Sequence, residues 1–349
     1  MKNINNITRS LKSLTTLVTF MTLFTCGMLS LQSCDKSEDA GKTPVEDETL
    51  AKSRTVLIYI VGENALNQFV GGDLQEMLEG MSDETLRAGN TLLVYVDDIE
   101  KPRIYCLTKG NKEKVYTELV PEKQYVEDCN SASADRLAEI IDYMLQYHPA
   151  ESYGLVLWSH ASGWIPSPYK GDKSPIKKSF GVDNGQNSSV SNIGNEMNIP
   201  DMARAIESKC QFEYIFFDAC FMQCIEADYE LRKCAKYIVA SPAEIPGPGA
   251  NYKLMAKPFF KAENSAKTIV DTYYDTYYDG EKGIYRYIDG IAYGVIISAV
   301  DTKQLDNFAA YTKTICDHNS FQLSRINYSE TQNYYDYDLL GHSHPDFLD

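Results

Sequence analysis

The sequence has no Cys-X-X-Cys pair, no zinc-type spacing of cysteines and histidines, and no EF-hand spacing of acids. Thioredoxin-type redox chemistry, a structural zinc module and a helix-loop-helix calcium site are thereby excluded. Basic residues are scarce: 33 Lys and Arg stand against 49 Asp and Glu, a formal net charge of −16. Such a surface repels nucleic acid and anionic lipid and attracts cationic peptides. There is also no internal repeat, which removes solenoids and propellers. The 349 residues suffice for one large α/β domain, or for one domain with an appendage.

No acidic residue precedes Asp35, whereas Lys2, Arg9 and Lys12 form a positive start to the largely apolar stretch Leu14 to Leu31. That is the pattern of a secretory signal rather than of a membrane span. The stretch ends in Leu31-Gln32-Ser33-Cys34, which resembles the lipobox of bacterial lipoproteins. Residues 1–33 are therefore expected to be removed, Cys34 to carry the lipid, and residues 34–53 to form an acidic tether. The run Asp35-Lys36-Ser37-Glu38-Asp39 is similar to the surface-export tracts of some of these lipoproteins. The expected location is the cell envelope, on the outer membrane and exposed at the surface, with the lipid as the sole membrane contact and a monomer as the default state. Removing the +3 of residues 1–33 takes the formal charge from −16 to −19. Seven cysteines remain, Cys106, Cys129, Cys210, Cys220, Cys224, Cys234 and Cys316, an odd number at irregular spacing and so no disulfide framework.

Order is expected to begin near Arg54. The continuous apolar runs at 55–61, 90–96, 154–158, 214–217 and 237–240 read as strands buried on both faces. Between them, Gly72 to Met81, Asp135 to Tyr147 and Ile199 to Lys209 carry apolar residues at helical spacing. Strands alternating with helices imply a parallel sheet. A further strand is expected at Ile291–Ile297, ahead of a helix from about Thr302. Residues 54–300 are expected to form the main domain and 301–349 a C-terminal helical segment, short enough to suggest truncation.

Two of these strands end in reactive residues, His160 after Trp158 and Cys220 after Asp218. Open α/β sheets place their chemistry at such carboxyl ends. If residues 221–234 form a helix, Cys220 stands at its N-terminus, where the macrodipole favours a thiolate and unpaired N–H groups can hold an oxyanion. His160 is the candidate base if the two strands are neighbours.

Ser159-His160-Ala161-Ser162-Gly163-Trp164 and Phe216-Phe217-Asp218-Ala219-Cys220 resemble the His-Gly and Asp-Ala-Cys motifs of caspase-like cysteine peptidases, of the clostripain family in particular. Phe180-Gly181-Val182-Asp183, Glu226 to Leu231 and Ala240 to Gly249 extend the resemblance over roughly residues 54–300. It implies an α/β/α sandwich with a mostly parallel central sheet, a His160–Cys220 dyad, and an oxyanion site made by the N–H groups of Ala161 and Cys220. It also implies cleavage after Arg or Lys, with Asp218 facing the basic side chain; Asp218 as a helix cap is the other reading. Trp164 is expected to wall the pocket or to lie in the core. Some relatives cut their own chain between the motifs, where Lys170 to Lys178 holds four lysines. Lys173, Lys177 and Lys178 are the self-cleavage candidates here. Calcium is the one cofactor the resemblance admits, and no ligand set for it is evident. The chain departs from the pattern at Ala161, where Gly is usual and a Cβ restricts φ. An inactive relative that binds peptides or a surface partner is the alternative.

Overall fold

The structure, a computed structural model, describes residues 47–83, 85–108, 120–164, 179–185, 188, 194–278, 287–288, 291–292, 294–318, 333–337 and 343–348. In chain order its first elements are β1 (Arg54–Val61), α1 (Asn67–Met81), β2 (Asn90–Asp97), β3 (Arg103–Thr108), β4 (Lys123–Gln124), α2 (Ala134–Tyr147) and β5 (Ser152–Trp158). Then come β6 (Phe180–Asp183), β7 (Asn195–Met197), α3 (Ile199–Glu207), β8 (Phe212–Asp218), α4 (Ile225–Leu231) and β9 (Ala235–Ala240). The remainder is α5 (Tyr252–Phe259), α6 (Ser265–Tyr278), β10 (Tyr287–Ile288), β11 (Ile291–Ala292), β12 (Ser298–Asp301), α7 (Leu305–His318), β13 (Asn333–Tyr337) and β14 (Ser343–Leu348).

The apolar runs are continuous because the sheet is covered on both faces. Successive residues of a strand point to opposite faces, so each strand feeds two cores. Val56, Ile58 and Ile60 of β1 join a core with Met77 of α1, Met255 of α5 and Tyr273 of α6. Leu57, Tyr59 and Val61 join the other, with Ile141 of α2, Met202 of α3 and Leu231 of α4. The result is the expected α/β/α sandwich. Its sheet has the order β12-β9-β8-β5-β1-β2-β3-β4. The five central strands β9, β8, β5, β1 and β2 are mutually parallel, whereas β3, β4 and β12 add antiparallel edges.

From β1 the chain winds one way to β2 and then the other way through β5, β8 and β9. The loops after β1 and β5 therefore diverge at a topological switch point, which opens a crevice at the carboxyl ends of these strands.

Two local expectations need correction. The Ile291–Ile297 strand is confined to Ile291 and Ala292, paired with Tyr287 and Ile288, and the sheet is extended instead by β12 on the edge of β9. An antiparallel edge strand needs backbone partners rather than two buried faces, so the apolar run was the wrong marker. The expected helix over 221–234 shrinks to α4, seven residues long, because residues 220–224 make a turn instead. The boundary drawn between 300 and 301 falls inside β12, and the last described residues pair as the hairpin β13–β14. All seven cysteines of the described residues are free thiols.

Candidate active site

β5 and β8 are hydrogen-bonded neighbours in parallel register, with Trp158 opposite Asp218. His160 and Cys220 each follow two residues later, so they leave the sheet at the same level on adjacent strands, about 5 Å apart where the strands pair. Both are half-buried. The condition that the sequence left open, adjacency of the two strands, is met.

Cys220 does not begin a helix, which removes the macrodipole as the source of thiolate stabilisation. The turn is instead clamped by the loop after β9. Phe221 N–H donates to Ala243 O at 3.1 Å, Gln223 N–H to Ser241 O at 3.0 Å, and Ile245 N–H to Cys220 Sγ at 3.4 Å. A donor aimed at sulfur favours the anionic form. Phe221 holds a left-handed φ of 60°, a conformation that costs a non-glycine residue about 1–2 kcal/mol. Burial of its ring and the bond to Ala243 hold it there.

His160 is fixed through its backbone. Gly181 N–H donates to His160 O at 2.9 Å and Ser162 N–H to Ser179 O at 2.9 Å, so Ala161 faces Phe180 across an antiparallel bridge. In this kind of pair the flanking residues make the bonds, and the N–H of Ala161 points away from β6. It is left for another acceptor. Phe221 and Asn264 are the only non-glycine residues with positive φ among those described, so the backbone at Ala161 makes no demand for glycine. Ala161→Gly is expected to leave peptide turnover within a few-fold of wild type, and to lower stability by about 0.5–1 kcal/mol through added chain entropy. Paired kinetic and denaturant measurements check this.

Asp218 ends β8 and is 4 % exposed. With no helix following, it is not a helix cap. One carboxylate oxygen, Oδ2, accepts from Ala250 N–H at 3.0 Å and Tyr252 O–H at 2.9 Å, while the buried Oδ1 has no hydrogen-bond partner. Burial pushes its pKa up to about 6, against the opposing pull of these two donors. Gly249, at φ +59°, passes so close that a Cβ would lie 2.7 Å from Asp218 Oδ2. Gly249→Ala is therefore expected to cost at least about 1–2 kcal/mol of stability and to displace the carboxylate, as thermal unfolding would register.

Sequence reasoning missed Asp73, a buried residue of α1 whose pKa is pushed to about 9 by burial, then by the charges of Asp218 and Glu76. It also missed Glu76, which accepts from Asn251 Nδ2 at 3.1 Å and Tyr252 N–H at 2.8 Å and so ties α1 to the segment that holds Asp218. A helical spacing of apolar residues marks α1 without revealing that two of its acids face inward. Trp164 is 42 % exposed and does not belong to the core. Lys173, Lys177, Lys178 and Cys34 lie outside the described residues.

The three-layer fold and its relatives define a caspase-like cysteine peptidase. The model of the clostripain family matches residues 58–341, and the chain belongs to that family. A secreted C11 cysteine protease from Bacteroides thetaiotaomicron, solved with an irreversible peptide inhibitor, is 33 % identical over 81 % of this chain and 73 % of its own, with a TM-score of 0.64. An inactive zymogen of a C11 protease from Parabacteroides distasonis is 31 % identical over 85 % of this chain and 75 % of its own, with a TM-score of 0.65. No curated protein matches the chain. Among the described residues no helix is long and apolar enough to cross a membrane.

Proposed function

We propose that the protein is a lipid-anchored, extracytoplasmic cysteine endopeptidase that cleaves peptides after Lys or Arg. The observation that carries this reading is the register of β5 on β8, Trp158 opposite Asp218, from which His160 and Cys220 depart together. In the proposed reaction the Cys220 thiolate adds to the scissile carbonyl carbon, and the carbonyl π electrons move to oxygen. Backbone N–H groups of Ala161 and Cys220 receive that oxyanion. As the tetrahedral species collapses, the C–N bond breaks and the amine leaves with a proton from His160. Water, deprotonated by His160, then adds to the thioester, and the acid and the free thiol are released. The open Oδ1 of Asp218 is the proposed partner of the basic side chain, and Trp164 the proposed wall of the pocket mouth.

The peptide inhibitor on the Bacteroides relative supports a peptide substrate, and its secretion agrees with a signal ending before Cys34. The zymogen state of the Parabacteroides relative supports maturation by cleavage. We expect the chain to cut itself after Lys173, Lys177 or Lys178. Purified wild type should yield two fragments with one of these new C-termini, and Cys220→Ala should stay whole. An intact wild type that nonetheless turns over peptides would remove self-cleavage from the reading. Hydrolysis of fluorogenic Lys and Arg peptides tests the activity itself, and no turnover by folded, processed enzyme would overturn it.

A further inference from the structure

A cluster of side chains with ligating chemistry lies far from the catalytic residues, at the end of the sheet where the parallel strands begin. Cys106 stands on β3, Glu122 just before β4, and His148 caps the C-terminus of α2. One ligating atom each from Cys106, Glu122 and His148 lies within 4.8 Å of the other two. His148 sits between its neighbours, with Nδ1 3.8 Å from Cys106 Sγ and Nε2 2.7 Å from Glu122 Oε1. The cluster is sheltered yet reachable, since the side chains of His148 and Glu122 are 14 % and 33 % exposed and Cys106 is half-buried. Cys106 and His148 are 42 residues apart along the chain, so no local zinc spacing could mark them.

We propose that Cys106, Glu122 and His148 bind a zinc ion, which pins the antiparallel edge of the sheet to α2. One thiol, one imidazole and one carboxylate make a donor mixture that zinc accepts, whereas calcium and magnesium take oxygen alone. Zinc bonds of about 2.3 Å to sulfur and about 2.0–2.1 Å to nitrogen, opened at a tetrahedral angle, put those two atoms about 3.5 Å apart. The 3.8 Å between Cys106 Sγ and His148 Nδ1 needs only a small adjustment to match. A Glu122 oxygen is the third ligand, and water takes the fourth place from the exposed side.

The frame around the three groups is built. Tyr143 O–H donates to Glu122 Oε1 at 2.6 Å, the kind of support that orients a ligating carboxylate. His148 N–H donates to Met144 O at 2.8 Å and His148 O accepts from Thr55 Oγ1 at 2.9 Å, which fixes the backbone behind the ring. Glu122 N–H donates to Ile104 O at 2.8 Å, on the strand that carries Cys106. The neighbouring cation, Lys123, lies over the rings of Tyr125 and Tyr143, 4.5 and 4.8 Å from their centroids. Burial and then the charge of Glu122 push the Cys106 thiol up to about 12, so without a metal it keeps its proton. Binding exchanges the two: the S–H bond breaks, the sulfur donates its electron pair to Zn²⁺, and the proton passes to solvent. The ion then joins β3, the approach to β4 and α2, and through Thr55 it reaches β1. It supplies a cross-link in a fold whose described cysteines form no disulfide. The seven residues of β5 separate this end of the sheet from His160 by about 20 Å. The site takes no part in the proposed peptide cleavage and stands without it.

Cobalt(II) reads the site directly, because a thiolate ligand gives a sulfur-to-cobalt charge-transfer band in the near ultraviolet. The sample is the purified full chain carrying Cys220→Ala, so a metal held by Cys220 and His160 cannot produce the signal. Co²⁺ should give the band, Zn²⁺ should abolish it, and Ca²⁺ and Mg²⁺ should leave it in place. Adding Cys106→Ser should remove the band. Glu122→Gln, at the exposed rim, should weaken Co²⁺ binding by on the order of tenfold or more. Zn²⁺ should also raise the unfolding temperature of the parent chain by more than that of either variant, with circular dichroism verifying that all of them fold. A parent chain without a Zn²⁺-displaceable band, or a band that persists in folded Cys106→Ser, would overturn the proposal. Folded Glu122→Gln and His148→Gln chains that both bind as the parent does would overturn it as well.

Discussion

Cys220→Ala is expected to lower kcat on a Lys or Arg peptide by about 10⁴- to 10⁶-fold, the scale on which loss of a single nucleophile acts. The reason is that, of the described thiols, only that of Cys220, the proposed nucleophile, follows β8 beside the strand that leads to His160. Of the other described thiols, Cys106, Cys210, Cys224 and Cys234 have pKa values raised by burial to about 11 or 12, and burial also raises Cys129. They are protonated at neutral pH and cannot substitute. Cys220 is half-buried in a turn held by backbone bonds of Phe221 and Gln223, neither of which needs the thiol. The variant should therefore unfold at nearly the wild-type temperature. His160→Ala should match it in kcat, and the double variant should add little, because the two act as one unit. Single and double variants assayed side by side check this; additive losses would separate their roles.

Asp218→Asn is expected to lower kcat/KM for Lys and Arg peptides by about 10²- to 10⁴-fold, the equivalent of leaving a buried charge without its partner at about 3–5 kcal/mol. A peptide with an uncharged side chain at that position should lose far less, and this contrast distinguishes specificity from general damage. Ala250 N–H and Tyr252 O–H both donate to Oδ2, so an amide with its oxygen in that place keeps both bonds and the fold has little reason to fail. The wild-type pH profile offers a second reading. With its pKa raised to about 6, Asp218 binds a cation only after losing its proton. Turnover of basic peptides should therefore fall as pH drops through about 6, and this limb should be absent in Asp218→Asn. The stability effect has the opposite sense. A carboxyl raised above its ordinary value contributes most below that ordinary value, and the contribution is lost as pH rises through about 6. The acid proposed to select the substrate is thus held at a cost to the fold above about pH 6.

The central strands and the helices α1 to α3 were legible because their signals are local. Eight consecutive buried residues in β1 and the helical spacing in α2 each lie within one window of chain. Boundaries slipped where two signals competed. Gly72 read as the start of α1, yet the helix begins at Asn67 and runs through Gly71 and Gly72, whose Cβ positions face open space. The turn after Cys220 was misread for a related reason. Residues 221–234 have a helical stripe, but Phe221 and Gln223 are taken by the backbone of residues 241–243, a partner no local pattern reveals.

What the sequence determined by itself was the sandwich and the position of two reactive residues at strand ends, since continuous apolar runs can be satisfied only in a sheet covered on both faces. Tertiary structure alone decided the rest. It set β5 beside β8, gave Asp218 its donors from Ala250 and Tyr252, turned Asp73 inward, and drew Glu63, Asp97, Asp128 and Asp183 together from four separate segments. Burial and charge are sums over neighbours in space, and these neighbours are distant along the chain: 34 residues separate Asp218 from Tyr252, and 52 separate Ser131 from Asp183. Periodicity can tell which way a side chain faces within its element, but the group it meets there depends on how the strands are ordered.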